Sequence, residues 1–172
     1  MSTPDFILRA ARGEDVVPYT IFLGDPEVSR WLDDMAQRPL SAAQVEQILL
    51  HDAWCLWAIE CEGRFAGVTS LYEPNLQRGT ARFSIVIGDK SCWGKGIGTA
   101  VTQRVVEHAF GALGLRKINS DYLEPNKGSA VIHDRLGFVE EGRLRADAWR
   151  EGRWVDRIIL SLMADEWSGG AQ

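Results

Sequence analysis

The sequence has little of what marks membrane, secreted or nucleic-acid-binding proteins. No apolar run among its 172 residues approaches the ~18 that a membrane-spanning helix needs. Residues 1–8 lack the basic stretch followed by an apolar stretch that is typical of a secretory signal. The 24 acidic residues outnumber the 19 basic ones, and the net charge of −5 argues against binding to a phosphate backbone. We therefore expect a cytoplasmic protein that binds neither membranes nor nucleic acid.

Cysteine is also scarce. Three cysteines are an odd number for a disulfide framework. Cys55 and Cys61 fall about 20 Å apart along one predicted strand, which is too far to bridge, and Cys92 stands alone. We interpret them as small buried or incidentally exposed residues, with a catalytic thiol as the less favoured alternative. His51 and His108 have no partners at metal-ligand spacing, so we predict no metal.

Length and composition fit one domain, with an ordered core over about residues 6–167. Apolar periodicities predict the element order β-α-α-α-β-β-β-α-β-α-β-β, an α/β or α+β arrangement with a mixed sheet. The predicted strands cover residues 6–10, 54–61, 65–71, 82–87, 115–123, 138–149 and 154–163. The predicted helices cover residues 15–23, 27–32, a segment from the capping box at Ser41, 99–110 and 129–136.

A glycine-rich segment, Trp93-Gly-Lys-Gly-Ile-Gly-Thr99, joins a predicted strand to a predicted helix. Glycines allow close backbone approach, and the free N–H groups at a helix N-terminus attract phosphate oxygens. The segment is not a Walker loop, because Lys95 precedes the last two glycines, and it lacks the G-x-G-x-x-G spacing of a Rossmann loop. Either a phosphate-bearing ligand binds here or the segment is a tight turn without a ligand.

Two motifs together resemble the GNAT superfamily of N-acetyltransferases. The family's pyrophosphate loop reads Q/R-x-x-G-x-G/A, and the chain matches it with Trp93, Gly96 and Gly98, the tryptophan replacing Gln or Arg. The family's later motif reads N-x-x-S/A-x-x-x-Y-x-K-x-G-F. The chain matches it with Asn126, Ser129, Arg135, Gly137 and Phe138, and places His133 at the Tyr position. The ending after Gly137 is similar to the RimJ/RimL-type branch of ribosomal-protein N-terminal, polyamine and amino-sugar acetyltransferases.

The resemblance implies one acetyltransferase domain over residues 1–172, with a mixed, mostly antiparallel sheet of about seven strands flanked by helices. It implies acetyl-CoA as co-substrate and a primary amine as acceptor: a protein or peptide N-terminal α-amine, or a small amine such as an amino sugar or polyamine. A homodimer is also expected, because the family often dimerises. The implied cofactor-binding residues are Val86, Ile87 and Gly88 beside the pantetheine and thioester, Trp93, Gly94, Lys95, Gly96, Ile97, Gly98 and Thr99 around the pyrophosphate, and Asn126, Ser129 and Arg135.

Three residues are candidates for the chemistry. His133, when protonated, could give a proton to the departing thiolate, and Ser129 could hydrogen-bond the sulfur. Asp121, where some N-terminal acetyltransferases carry Glu, could be the general base, with Glu73 a weaker candidate. Each has a structural alternative: a histidine packed near the sheet, a small residue beneath CoA, and a carboxylate bonded to nearby backbone. Backbone N–H groups of strand 82–87 could polarise the thioester carbonyl.

The acceptor side and the overall activity leave alternatives open. Trp31 and Trp149 fall in segments that flank the acceptor in this branch, but core packing is the favoured interpretation of both. The acidic residues Asp25, Glu27, Asp33 and Asp34 could attract a cation or form a solvated helix face. A CoA-binding module without turnover is the alternative function, and a nucleotide-binding domain of unrelated fold is a third.

Overall fold

The computed structural model describes residues 5–52 and 54–169, and within them the chain forms seven strands and five α-helices. The strands are β1 Phe6–Arg9, β2 Cys55–Cys61, β3 Arg64–Asn75, β4 Thr80–Ile87, β5 Lys117–Leu123, β6 Val139–Arg150 and β7 Arg153–Met163. The helices are α1 Val16–Gly24, α2 Pro26–Ser29, α3 Ala42–Gln47, α4 Ile97–Gly111 and α5 Lys127–Arg135. Shorter helical turns are Gly13–Asp15, Asp34–Gln37, Ile48–Asp52 and Lys90–Cys92. None of the helices in these ranges is long and apolar enough to cross a membrane.

One sheet contains all seven strands in the order β1-β2-β3-β4-β5-β7-β6. Neighbours pair antiparallel, apart from β4 and β5. Those two run parallel through three pairs only, from Thr80–Lys117 to Arg82–Asn119. Beyond this point β4 continues to Ile87 and β5 to Leu123 without pairing to each other. The sheet therefore opens in its middle.

Helices cover both faces of the sheet because their apolar residues recur at helical spacing. Val101, Val105 and Ala109 of α4 are buried at this spacing. Val105 and Ala109 pack in the cluster that contains Leu71 of β3, and Val101 packs in the one that contains Ile59 of β2. On the opposite face, residues of α1 and α3 surround Val68, which lies three positions from Leu71 and so points the other way. Burying side chains of this size stabilises the fold by roughly 1.5–3 kcal/mol each.

Most elements lie within two residues of their predicted bounds, and three depart further from the prediction. Strand β3 reaches Asn75 rather than residue 71, because its hairpin with β4 continues through the Tyr72–Arg82 and Asn75–Thr80 pairs. The capping box at Ser41 is present, but α3 ends at Gln47 and passes into a π-helical turn. Helix α2 stops at Ser29 rather than residue 32. Side chains satisfy the carbonyl oxygens at this end: Gln37 donates to that of Ser29 and Arg150 to that of Leu32.

The three cysteines are free thiols in the described chain. Cys92, isolated in the sequence, packs in the same buried cluster as Cys61. Burial, together with the neighbouring Cys92, raises the pKa of the Cys61 thiol to about 11. A thiol held protonated in this way is a poor nucleophile, which agrees with a packing role.

Candidate active site

A cleft occupies the opening between β4 and β5. Its floor is the run from Phe83 to Ile87 on one side and Ser120 to Leu123 on the other. The part nearer the glycine loop has a volume of about 730 Å³. Among the described residues no strand pairs with β4 on its β5 side past Arg82, so that edge of the backbone is open to a ligand.

The end of β4 is positioned by two glycines. A Cβ on Gly67 of β3 would overlap the carbonyl oxygen of Val86, so only glycine allows β3 to approach β4 this closely. The N–H of Gly88 donates to the carbonyl of Ala66 at 2.8 Å, and a Cβ on Gly88 would overlap the ring of Phe22. Val86 and Ile87 line the cleft, and Gly88 is not among the lining residues. Their contact with the cofactor stays a prediction.

The glycine loop reaches the cleft directly after β4. Gly94 and Gly96 have φ values of +71° and +82°, which a residue with a side chain adopts only with strain. Gly96 is the N-cap of the 15-residue helix α4, so the first N–H groups of that helix point outward from its start. Gly98 packs against α5, where a Cβ would lie 2.6 Å from Cδ1 of Ile132. The predicted loop residues that line the cleft are Trp93, Gly94, Gly96, Ile97, Gly98 and Thr99.

Trp93 connects the loop to the strand. Its indole N–H donates to the carbonyl of Ile87 at 2.8 Å, and its ring is 39% exposed. The tryptophan that replaces the family's Gln or Arg thus fixes the loop on the last residue of β4. Lys95 is exposed and lies outside the cleft lining.

The start of α5 forms the opposite wall. The side-chain oxygen of Asn126 accepts from the N–H of Ser129 at 3.1 Å, so Asn126 caps the helix. Asn126 and Ser129 line both parts of the cleft, and the exposed Arg135 lines the part beside the glycine loop. Asn126, Ser129 and Arg135 thus meet the glycine loop across one opening.

His133 is buried, with 2% of its surface exposed, beneath this wall. Its Nδ1 lies 2.8 Å from the carbonyl of Ser129 and its Nε2 lies 2.8 Å from Oγ of Ser120. The ring stacks on Tyr122 with centroids 5.5 Å apart. Burial lowers the pKa of His133, so the neutral ring is favoured. His133 lines the second part of the cleft, which extends from the glycine loop towards α1 and α3, but both ring nitrogens are already hydrogen-bonded.

Asp121 lies on the other face of β5, between two arginines. One carboxylate oxygen accepts from Arg82 of β4 and the other from Arg157 of β7. Arg157 also binds Asp147 at 2.7 Å and Asp33 at 3.1 Å. Taking a proton from a substrate would cost Asp121 both ion pairs. This geometry therefore favours a role in positioning Arg82 and Arg157 over that of a general base.

The second part of the cleft has an apolar wall and a charged rim. Leu23, Met35, Leu40 and Ile48 form the wall together with the buried Tyr19. Asp33, Asp121 and Arg157 lie at the rim. The aromatic ring of Trp31 borders both parts of the cleft.

Several residues expected near the acceptor lie elsewhere. Asp25 and Glu27 bind Nζ of Lys90 at 2.7 and 2.6 Å, just before the glycine loop. Asp34 binds Arg150 at 2.8 Å outside the cleft lining. Trp149 is exposed and its ring contacts that of Trp154. The neighbouring Ala148 and Arg150 take the inward positions of β6, so Trp149 points outward.

Sequence reasoning missed Ser120, Arg82 and Arg157. Ser120 comes directly after the last β4–β5 pair and hydrogen-bonds His133, which lies thirteen residues later. The two arginines meet Asp121 only because β4, β5 and β7 are neighbours in the sheet. No motif marks these contacts. Within the described ranges, no three His, Cys, Asp or Glu residues come together as a metal site.

A family model and several known proteins match the chain. The model of the acetyltransferase (GNAT) domain matches residues 5–139. The chain is 27% identical over 163 residues to the SPbeta prophage-derived uncharacterized N-acetyltransferase YokL of Bacillus subtilis, covering 92% of this chain and 90% of that one.

Two solved structures have a similar fold. One is the spermidine N-acetyltransferase of Vibrio cholerae in complex with CoA and spermine, with a TM-score of 0.82 and 22% identity over 94% of this chain and 96% of that one. The other is RimL, a ribosomal L7/L12 alpha-N-protein acetyltransferase in complex with coenzyme A, with a TM-score of 0.82 and 20% identity over 96% and 97%. At these identities the likeness shows the fold, and it confirms the predicted fold class.

Proposed function

We propose, since the chain belongs to the GNAT acetyltransferase family, that it transfers the acetyl group of acetyl-CoA to a primary amine in the cleft between β4 and β5. One observation carries this proposal. The open edge of β4 leads directly to the N-terminus of α4, so a single cleft offers both a backbone edge for an extended ligand and a site for its phosphates.

The cofactor roles follow from that cleft. The N–H groups from Gly94 to Thr99 would hold the pyrophosphate, where the helix dipole adds a favourable field. The pantetheine would lie along Val86 and Ile87, with Asn126 facing it from α5. Arg135 would reach the phosphates from the last turn of α5, whereas Lys95 would add charge only at long range.

The reaction needs a neutral amine, a polarised thioester carbonyl and a proton for the thiolate. Backbone N–H groups on the open edge of β4 would stabilise the oxyanion that forms when the amine attacks. Deprotonating an alkylamine of pKa ~10.4 at pH 7 costs roughly 4.6 kcal/mol, against about 1.4 for a peptide α-amine of pKa ~8. A peptide N-terminus is therefore the easier nucleophile for this site.

The cleft wall also favours such an acceptor. The relatives of similar fold act on spermidine and on a ribosomal protein N-terminus. In this chain Met35, Leu40 and Ile48 form an apolar wall, and the rim carboxylates Asp33 and Asp121 are already paired with arginine. The second ammonium of a polyamine would lose hydration against that wall without gaining a free carboxylate. We infer that the acceptor is an amine with an apolar or small substituent, such as a peptide N-terminus of the RimJ/RimL type. Amino sugars and polyamines are the less favoured acceptors.

The test is thiol release from acetyl-CoA over a panel of amines, with the acetylated product identified by mass spectrometry. The panel holds peptides that begin with Ala, Ser or Met, together with spermidine and glucosamine. We expect faster thiol release with the peptides than with spermidine or glucosamine. The Met35→Glu variant puts a charge on the apolar wall, so its rate of thiol release should fall more for the Met-peptide than for spermidine. Binding of acetyl-CoA with no amine-dependent release would indicate a CoA-binding module without turnover.

Three broader expectations remain proposals. Residues 1–172 act as one acetyltransferase domain, since one sheet contains every described strand. The three free thiols fit a reducing compartment such as the cytoplasm. A homodimer would form through β6, an edge strand with Val139, Leu144 and Trp149 exposed, and light scattering would test it.

A further inference from the structure

His133 has a defined tautomer in the structure. A carbonyl oxygen only accepts hydrogen bonds, so the contact of 2.8 Å with the carbonyl of Ser129 places a proton on Nδ1. In the neutral ring Nε2 then has a lone pair, which accepts from the hydroxyl of Ser120 at 2.8 Å. The side chain of Ser129 is farther from Nδ1, at 3.3 Å. His133 is thus oriented by a backbone carbonyl and connected to the cleft through Ser120.

Ser120 stands where β4 and β5 part. It follows Asn119, the last residue of β5 that pairs with β4, and its Oγ lies 3.4 Å from the carbonyl of Phe83 directly across the opening. Ser120 is 4% exposed and contributes to the cleft lining beside the open edge of β4. Its hydroxyl is therefore the polar group between the buried histidine and the place where the thioester would lie.

We propose that Ser120 and His133 act as one proton relay, which takes a proton from the attacking amine and returns it to the sulfur of CoA. This rests on the proposed function. A serine hydroxyl bonded to a histidine whose other nitrogen is held by an acceptor has the geometry needed to pass protons in both directions.

The relay balances in two steps. In the first step the amine nitrogen attacks the thioester carbon and the carbonyl electrons move to oxygen. The nitrogen then gives a proton to Oγ of Ser120 as that hydroxyl gives its own proton to Nε2 of His133. The carbonyl then re-forms and the C–S bond breaks with its electron pair on sulfur. Nε2 returns its proton to Ser120, and Ser120 protonates the sulfur. The products are the amide and the CoA thiol, with both residues restored.

The surroundings of His133 suit this cycle. Phe83 and Phe138 pack edge-on to the ring, and Tyr122 stacks on it. The titratable side chain in contact with it is Tyr122. The charge of Asp121, on the opposite face of β5, favours the imidazolium from a distance, and Asp121 is itself held by Arg82 and Arg157. The apolar shell keeps the resting ring neutral and able to accept a proton, while Asp121 and the Ser129 carbonyl stabilise it once protonated.

The experiment compares Ser120→Ala, His133→Gln and their double variant in steady-state kinetics across pH, with Ser161→Ala as the control. Ser161 is an equally buried serine on β7 that binds Glu141 at 2.7 Å, outside the cleft. We expect each single variant to lower kcat by roughly 100-fold or more and to leave the Kd of acetyl-CoA unchanged. The double variant should lose no more than either single one.

The pH profile separates a relay from a packing role. When kcat/KM is calculated on the concentration of neutral amine, the wild-type value should fall at a pH below the ordinary histidine pKa of ~6.5, because burial lowers the pKa of His133 and a protonated His133 cannot accept a proton. This acid limb should disappear in Ser120→Ala and return in Ser120→Thr, which keeps a hydroxyl. His133→Gln, whose amide can make both hydrogen bonds but cannot carry the proton, tests the relay even where Ser120→Ala does not fold.

Amine-dependent thiol release by the wild type supports the proposed function whatever the variants do. A Ser120→Ala enzyme with kcat within about threefold of wild type and an intact acid limb would overturn the relay. So would losses that multiply in the double variant, since two independent residues would then be at work.

Discussion

The glycine loop gives the sharpest single prediction, for Gly96→Asp. Gly96 has φ +82°, so any residue with a Cβ is strained there by roughly 1–2 kcal/mol, equivalent to about 2–8 °C in Tm for a domain of this size. The larger effect is on the ligand. A carboxylate ~4 Å from a phosphate charge is repelled by about 4 kcal/mol at an effective dielectric of ~20, roughly 1,000-fold in Kd. Solvent screening at this half-buried loop reduces that, and we expect Kd for acetyl-CoA to rise by at least about 100-fold.

Two variants separate strain from repulsion in a calorimetric titration. Gly152→Asp makes the same substitution at φ +76° in the β6–β7 turn, where a Cβ would meet nothing within 4 Å, so it should lose similar stability and keep the wild-type Kd. Gly96→Ala has the strain without the charge and should weaken binding far less than Gly96→Asp. A folded Gly96→Asp protein that binds acetyl-CoA like the wild type would refute the assignment of the loop to the pyrophosphate.

Three further predictions concern stability and the position of β4. Asp121→Asn removes the charge that holds Arg82 and Arg157, so the free energy of unfolding should fall by about 1–3 kcal/mol while kcat falls less than about tenfold. An unchanged Tm together with a kcat lowered ~100-fold or more would instead identify Asp121 as the general base. Gly67→Ala should push the end of β4 out of place and cost about 1–3 kcal/mol in thermal unfolding, together with weaker acetyl-CoA binding; normal binding would contradict its role. Burial lowers the pKa of His133 in the folded chain, so the unfolded chain binds that proton more readily and the free energy of unfolding should fall as pH drops below about 6.5. In denaturant titrations, the free energy of unfolding of His133→Gln should depend less on pH than that of the wild type. The same pH dependence in both proteins would contradict this.

The element order and the glycine loop could be predicted because their signals are local. Val101, Val105 and Ala109 recur on one helical face, and the structure buries all three. Ser41 and Gln44 form the expected cap because a capping box depends on residues three apart. The strained turns at Gly94 and Gly96 likewise follow from glycine's own conformational freedom.

The contacts that give the cleft its chemistry are not local. Periodicity places Asp121 and Ser120 on opposite faces of β5, but it does not say that Arg82 and Arg157 lie on the neighbouring strands. The opening of the sheet depends on a parallel pairing that stops after three residues, which leaves no mark in either strand alone. The family resemblance implies that Gly88 runs beside the cofactor. The hydrogen bond from its N–H to the carbonyl of Ala66 depends on the neighbouring strand β3, and no local signal in the sequence indicates it.

Thermal unfolding of the full chain with acetyl-CoA tests the central claim most directly. At 100 times Kd a ligand adds about 2.7 kcal/mol to the free energy of unfolding, and for a domain of this size that raises Tm by roughly 5–10 °C. We predict this shift with acetyl-CoA and none with ATP at the same concentration. No shift with acetyl-CoA, or an equal shift with ATP, would contradict the assignment of the cleft between β4 and β5 to acetyl-CoA.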